Sequence, residues 1–407
     1  MTFGAAPVEV TFDGLLVVMI LAVVIPLALG LFPRLPLPGS VVEIMAGILI
    51  GPAVFAWVSQ DRAIEVLAKL GVAFLLFLAG LELDFDALRG RPLQFGLIGF
   101  AGSIGLGLVV TTPLGLTDVI IDPLLVTIIL CATSLGIVMP VLKDANQLSS
   151  RLGTLVIASC SVAEFGAIVL LSMFFSGAGT PNPLQTVGKL VILGLAVLVI
   201  ALVAARAGHW HRLHDAVDRL QDTSAQIRIR IAVLALLALL VLSQELKFDA
   251  ILGAFMAGAL LSALTDPERD EELGGFRHKL DGIGFGFFIP VFFVATGIAF
   301  PLDALFSNAS AVLRIPLYVI LLLIVRGVPA LLLRRDGFDR PHMIAAGLLQ
   351  ATSLSFIVVA TKIGVAVGEL RPVNAASLVA AGMLSVLIFP MAALTFLRRS
   401  TPVAPGP

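Results

Sequence analysis

Charge is what this sequence has least of. Charged side chains make up 13% of the 407 residues, about half of what a soluble domain carries. A chain so poor in charge cannot cover itself with a water-facing surface. Cysteine is nearly absent. Cys131 and Cys160 both sit in apolar runs, which excludes a disulfide framework and a cysteine-rich metal site. The net charge of −1 gives no basic field for nucleic acid. No Ser-His-Asp set, phosphate loop or metalloprotease motif falls within an apolar run, so an intramembrane enzyme is disfavoured. No cofactor is expected, and no soluble appendage.

What is present is hydrophobicity: 59% of residues are apolar and the mean hydropathy is +1.07. About 20 apolar residues cross the hydrocarbon of a bilayer as a helix. The sequence marks such runs at 14–32, 39–57, 65–83, 92–113, 121–142, 151–176, 184–205, 228–245, 248–265, 281–300, 311–333, 341–362 and 373–397. The first lacks a basic leader and reads as a span rather than a cleaved signal. The fold class expected is an all-α polytopic membrane protein with about 13 transmembrane helices. Of the 26 Lys and Arg residues, 18 fall in alternate loops together with the C-terminus, and seven lie on the other side. The positive-inside rule then places the C-terminus in the cytoplasm and the N-terminus outside. The location expected is the cell membrane.

The chain resembles itself. Leu130-Cys-Ala-Thr-Ser-Leu-Gly-Ile-Val-Met-Pro-Val-Leu-Lys143 matches Leu349-Gln-Ala-Thr-Ser-Leu-Ser-Phe-Ile-Val-Val-Ala-Thr-Lys362. Gly80 with Asp86-Ala87-Leu88 matches Gly297 with Asp303-Ala304-Leu305, and Met45-Ala46-Gly47 matches Met256-Ala257-Gly258. Three matches in order point to six-helix repeats on either side of a connector at 184–205. An odd number of spans separates equivalent elements, so the repeats are inverted. Inverted repeats are a signature of secondary transporters, with the substrate site at the bilayer midplane.

An ionisable group at the bilayer centre costs roughly 3 kcal/mol or more, so each is a functional hypothesis. Glu164 and Arg326 are each the only charge deep in their spans. Arg326 cannot give up its proton and needs an anion or a water-filled cavity; Glu164 is the expected charge partner. A purely structural salt bridge is the alternative. Glu43 is shallower and reads as lining an entry funnel, or as pairing with a nearby Arg. Glu82, Asp84 and Asp86 with Arg89 and Arg91 read as a solvated helix end. In the repeated segments Thr133, Ser134 and Gly136 face Thr352, Ser353 and Ser355 as equivalents. Pro140 removes a donor and is expected to free a carbonyl near Gly136. Hydroxyls and freed carbonyls are hard-oxygen ligands that suit a small cation, with Ser161 one turn before Glu164. The alternative is that Ser and Thr only join helices. His209, His211 and His214, near Asp215 and Asp218, read as a solvated surface helix rather than a metal site. No metal beyond a transported monovalent cation is expected.

At these residues the chain resembles the monovalent cation:proton antiporter-2 family, the Kef/NapA-like sodium/proton and potassium/proton exchangers. Leu37-Pro-Gly-Ser-Val-Val-Glu-Ile-Met-Ala-Gly-Ile-Leu-Ile-Gly-Pro52, Phe77-Leu-Ala-Gly-Leu-Glu-Leu-Asp84 and Phe288-Ile-Pro-Val-Phe-Phe-Val-Ala-Thr-Gly297 look like its signatures. The resemblance implies an NhaA-like bundle with two discontinuous crossing helices, at 132–138 and 351–357. Core helices 92–176 and 311–397 would move against scaffold helices 14–83 and 228–300, and the scaffold would form a homodimer. It implies exchange of Na⁺ or K⁺ for H⁺, with cation and proton competing for Glu164. Val162-Ala163-Glu164-Phe165 occupies the place of the family's acid pair, with Glu164 as the second acid and Ala163 replacing the first. Arg326 matches its basic residue. With one titrating group at the midplane, one-to-one electroneutral exchange is expected. The alternatives are a Na⁺-coupled organic-anion carrier on a related fold and a non-transporting membrane sensor.

Overall fold

The computed structural model describes residues 12–31, 37–83, 89–117, 119–148, 150–175, 183–207, 226–265, 275–306 and 309–397. Asp84, Asp86, His209, His211, His214, Asp215, Asp218 and both termini lie outside these residues. In chain order the elements are α1 (Asp13–Leu31), α2 (Gly39–Ile50), α3 (Arg62–Leu81), α4 (Arg91–Leu116), α5 (Pro123–Cys131), α6 (Leu135–Asp144), α7 (Arg151–Phe175) and α8 (Pro183–Ala207). They continue as α9 (Ile227–Glu245), α10 (Ala250–Leu264), α11 (Phe276–Ile283), α12 (Ile289–Ile298), α13 (Leu302–Phe306), α14 (Ala309–Leu322), α15 (Arg340–Gln350), α16 (Ser355–Ala366) and α17 (Pro372–Leu397). A π-helical turn, Gly284–Phe288, joins α11 to α12; a second, Leu323–Gly327, follows α14 and leads into a 3₁₀ segment, Val328–Asp336.

The protein is an all-helical, multi-span membrane protein. Among the described residues nine helices are long and apolar enough to cross, or ten if the bent pair α15 and α16 counts as one span. This is fewer full-length spans than the apolar runs suggest, and the sequence supplies the reason. The run at 39–57 stops as a helix at Ile50, because Gly51 and Pro52 follow. The run at 248–265 begins as a helix only after Asp249, whose carboxylate accepts from Ile251 N at 3.0 Å. Asp61, Asp122 and Asp339 likewise accept from Ile64 N, Leu125 N and His342 N at 2.8–3.0 Å. Each such cap is worth about 1 kcal/mol.

The chain divides into two compact units, one of residues 1–75 with 281–303 and one of residues 76–280 with 304–407. In the first, α2 and α12 cross backbone to backbone. A Cβ on Gly47 would lie 2.1 Å from Val294 O, and one on Gly297 2.1 Å from Ile44 O. Only glycine fits at either place. Val18, Ile50, Ile64, Val291 and Val294 pack around this crossing.

In the second unit α3 and α10 cross in the same way. A Cβ on Gly80 would lie 2.2 Å from Phe255 O, and one on Gly258 1.9 Å from Phe77 O. Gly258 is the repeat equivalent of Gly47, and Gly80 that of Gly297. The two matched motifs are thus used twice, each pair joining one segment from either half of the sequence. The same unit holds α4 packed on α7, and two interrupted helices: α5 stops at Cys131 and α6 resumes at Leu135, while α15 stops at Gln350 and α16 resumes at Ser355.

Candidate functional site

The interruptions fall on the repeated Ala-Thr-Ser-Leu sequence, at Ala132–Ser134 and Thr352–Leu354. Four helix ends meet there, each with backbone groups that lack an intrahelical partner. The two breaks satisfy one another. Ser134 N donates to Thr352 O at 3.0 Å, Leu354 N donates to Ser134 Oγ at 3.0 Å, and Thr133 Oγ1 donates to Gln350 O at 2.6 Å. Ser385 of α17 closes the far side, accepting from Ser353 N at 3.2 Å and donating to Ser353 O at 3.1 Å. Thr352 Oγ1 turns back to Leu348 O in its own helix. Thr133, Ser134, Thr352 and Ser353 are all buried.

Pro140 does not make the first break. It sits inside α6, and the interruption lies six residues upstream. The carbonyl it deprives of a donor is still that of Gly136, in the first turn of α6. Gly136 itself is exposed and Ser355 half-buried.

Glu164 lies on α7 and is 5% exposed. Its Oε2 accepts from Leu135 N, the first residue of α6, at 3.4 Å. The carboxylate therefore faces the positive end of that helix dipole. Ser161 is buried one turn earlier on the same helix. Arg326 is fully buried in the π turn. Its Nε donates to Thr133 Oγ1 at 3.0 Å, Nη1 to Ser103 Oγ at 3.1 Å and Nη2 to Ser159 O at 3.4 Å.

The ion pair expected between Glu164 and Arg326 is not formed in this structure. The guanidinium is taken up by three neutral oxygens on α4, α7 and the first break, and the carboxylate by the α6 terminus. Both groups reach the first break, Arg326 at Thr133 and Glu164 at Leu135, two residues apart. Glu43 is buried on α2 in the other unit. Among the described residues no cluster of His, Cys, Asp or Glu could hold a metal ion.

Four participants escape the sequence reading. Ser103 and Ser159 hold Arg326, and Ser385 holds the second break. Gln350 accepts from Thr133 through its backbone and from Ser159 Oγ through Oε1 at 3.0 Å. Gln350 stands where the matching segment has Cys131, the replacement that brings an amide into that stretch, and this was its signal. Ser103, Ser159 and Ser385 carry none, because single serines in apolar helices are common. Glu82, read as part of a solvated helix end, comes to the crossing instead. A Cβ on Gly136 would lie 3.6 and 3.8 Å from its two carboxylate oxygens.

Residues 19–398 match the family model described as "Sodium/hydrogen exchanger, transmembrane". The chain belongs to the sodium/hydrogen exchanger family. It is 30% identical over 366 residues to the putative Na⁺/H⁺ antiporter YjbQ of Bacillus subtilis, covering 86% of this chain and 57% of that one. The chain thus spans little more than half the length of that relative. It is 26% identical over 381 residues to the Na⁺/H⁺-K⁺ antiporter GerN of Bacillus cereus, covering 89% and 91%. Such relatives are transporters, not enzymes. The sodium proton antiporter MjNhaP1 of Methanocaldococcus jannaschii has the same fold, with a TM-score of 0.62, 17% identity and coverage of 94% and 98%.

Proposed function

We propose that this chain is a secondary antiporter that exchanges a monovalent cation, Na⁺ or K⁺, for H⁺ by alternating access. The observation that carries the reading is Glu164, a buried carboxylate at the junction of two broken helices with one long hydrogen bond. A proton or a cation can neutralise it, but not both. An uncompensated charge is costly in hydrocarbon, so the site crosses only when one of them is bound. Competition for one carboxylate gives obligatory exchange, one proton for one cation. The hydroxyl of Ser353, buried without a hydrogen-bond partner, and that of Ser161 supply further oxygen ligands. Thr133 and Ser134 hold the breaks together, and Arg326 is a fixed positive charge inside the same network.

The names of the relatives support Na⁺ and, through GerN, K⁺. Inverted six-helix repeats are supported by the equivalent breaks and by the doubled glycine crossing. On this reading core helices 92–176 and 311–397 move against a scaffold of 14–83 and 228–300, with 184–205 between them. The scaffold makes a homodimer and the C-terminus is cytoplasmic. Glu43 lines the entry. An organic-anion carrier fits less well, because it needs Arg326 open to the anion and all three of its nitrogens are already engaged.

Proteoliposomes with an internal pH dye test the reading. Addition of Na⁺ or K⁺ without organic solute should move protons, and the apparent KM for the cation should rise with proton concentration at unchanged maximal rate. A dye silent to Li⁺, Na⁺, K⁺ and Rb⁺ would overturn it.

A further inference from the structure

The 3₁₀ segment Val328–Asp336 runs for nine residues, where most such stretches stop after three or four. With three residues per turn, positions i and i+3 eclipse, so this segment sorts its side chains into three straight columns. Ala330, Leu333 and Asp336 form the inward one. Ala330 and Leu333 are fully buried, and Asp336 is held by Arg91 and Arg151. The other columns, Val328-Leu331-Arg334 and Pro329-Leu332-Arg335, each run from apolar residues to an arginine. An α-helix would fan these residues around its axis.

Those two columns and Ile98 and Gly102 of α4 line an apolar groove of about 640 Å³. Leu331 is 60% exposed and Ile98 58%, and they lie on two membrane-crossing stretches, Ser310–Asp336 and Arg91–Leu116. The groove therefore opens toward lipid, and its arginines stand at the end of the span. Arg334 and Arg335 are exposed, and among the described residues neither guanidinium has an ion-pair or hydrogen-bond partner. Asp336, which could have neutralised them, is committed to Arg91 and Arg151.

We propose that this groove binds an anionic phospholipid, with an acyl chain along Val328, Leu331 and Leu332 and the headgroup phosphate between Arg334 and Arg335. The columns give the acyl chain about 12 Å of contact at about 2.0 Å per residue. Planar guanidinium groups bind phosphate oxygens bidentately, and basic pockets at the ends of membrane helices select anionic headgroups. Two arginines without a counter-charge among the described residues make a net-negative lipid the matching ligand rather than a zwitterionic one. The bound lipid would brace the segment that follows the Arg326 turn.

The test uses the purified full-length chain in detergent, with lipid retention read by native mass spectrometry and stability by thermal unfolding. Phosphatidylglycerol should be retained and raise the melting temperature; phosphatidylcholine and inorganic phosphate should do neither. Arg334→Gln with Arg335→Gln should weaken retention by about 30-fold, at about tenfold per 1.4 kcal/mol and about 1 kcal/mol per arginine. Gly102→Leu leaves both arginines in place. A Cβ there meets only Pro329, at 4.0 Å, so the larger side chain fills the groove and should also displace the lipid. Equal retention of phosphatidylcholine by the wild-type chain, or an equal effect of phosphate alone, would overturn the proposal without any variant. Undiminished retention in the double variant would do the same.

Discussion

The helix crossing of the first unit and the helix crossing at the breaks of the second solve one steric problem in opposite ways. At Gly47 and Gly297 the backbones meet directly and no side chain intervenes. At Ala132–Ser134 and Thr352–Leu354 the helices are opened, and hydroxyls, amides and carbonyls bridge the gap. The first arrangement leaves no room for any side chain at the contact. The second is polar, and its hydrogen bonds can be exchanged for others at little net cost, because a typical one is worth only about 1 kcal/mol. On the proposed alternating access, rigidity belongs with the glycines and rearrangement with the breaks.

The sharpest test of that division is Glu164→Gln, which should abolish cation-driven proton movement in proteoliposomes and leave the melting temperature near that of the wild type. Gln is nearly isosteric but cannot titrate. Normal exchange rates in this variant would end the proposed mechanism. Arg326→Ala should come next. It removes three hydrogen bonds from a charged donor, each worth roughly 1.5–3 kcal/mol, so a loss of about 5 kcal/mol or more is expected in thermal or denaturant unfolding. Arg326→Lys keeps the charge but not the fork, and should lose less. If the two variants unfold alike, the guanidinium geometry is not what holds the crossing.

Gly47→Ala should destabilise by about 3 kcal/mol, since a methyl 2.1 Å from Val294 O forces the helices apart. Exchange per folded molecule should stay the same; a purely kinetic defect with normal melting would erase the contrast between the crossings. Ser134→Ala is a smaller lesion, about 1–2 kcal/mol, because it strips the acceptor from the buried Leu354 N. The smallest effect is expected from Glu82→Gln. Exchange should continue, and neither the wild type nor the variant should follow membrane potential in voltage-clamped proteoliposomes. A voltage-dependent wild type that loses this dependence in Glu82→Gln would make Glu82 a second proton carrier and refute one-to-one exchange.

Much of this was legible beforehand. The repeated Ala-Thr-Ser-Leu marks both breaks to within a residue or two, and the depth of Glu164 and Arg326 follows from counting along their helices. Their pairing did not follow. A sequence gives depth in a span but not which neighbour a side chain turns toward, and Arg326 turns toward Ser103, Thr133 and Ser159. Pro140 shows the same limit: the carbonyl it deprives of a donor, that of Gly136, follows from spacing, but that the break itself lies six residues upstream does not. Glu82 was hidden by its position at a helix end beside other charges, where solvation is the ordinary outcome. The 3₁₀ columns were beyond reach, because the same nine residues read equally well as α-helix.

The four half-helices have an electrical consequence. α5 and α15 bring their C-terminal ends to the crossing and α6 and α16 their N-terminal ends, and each end carries about half an elementary charge. Two of each sign cancel, so the backbone contributes almost no net charge at the crossing, where the proposed mechanism puts the cargo. The cargo itself then decides what the field across the membrane feels. On the proposed mechanism, Glu164 carrying a proton and Glu164 carrying a cation are the same charge state. A membrane potential would pull equally on the loaded site in either direction of travel, and only the two concentration gradients would set the direction of exchange.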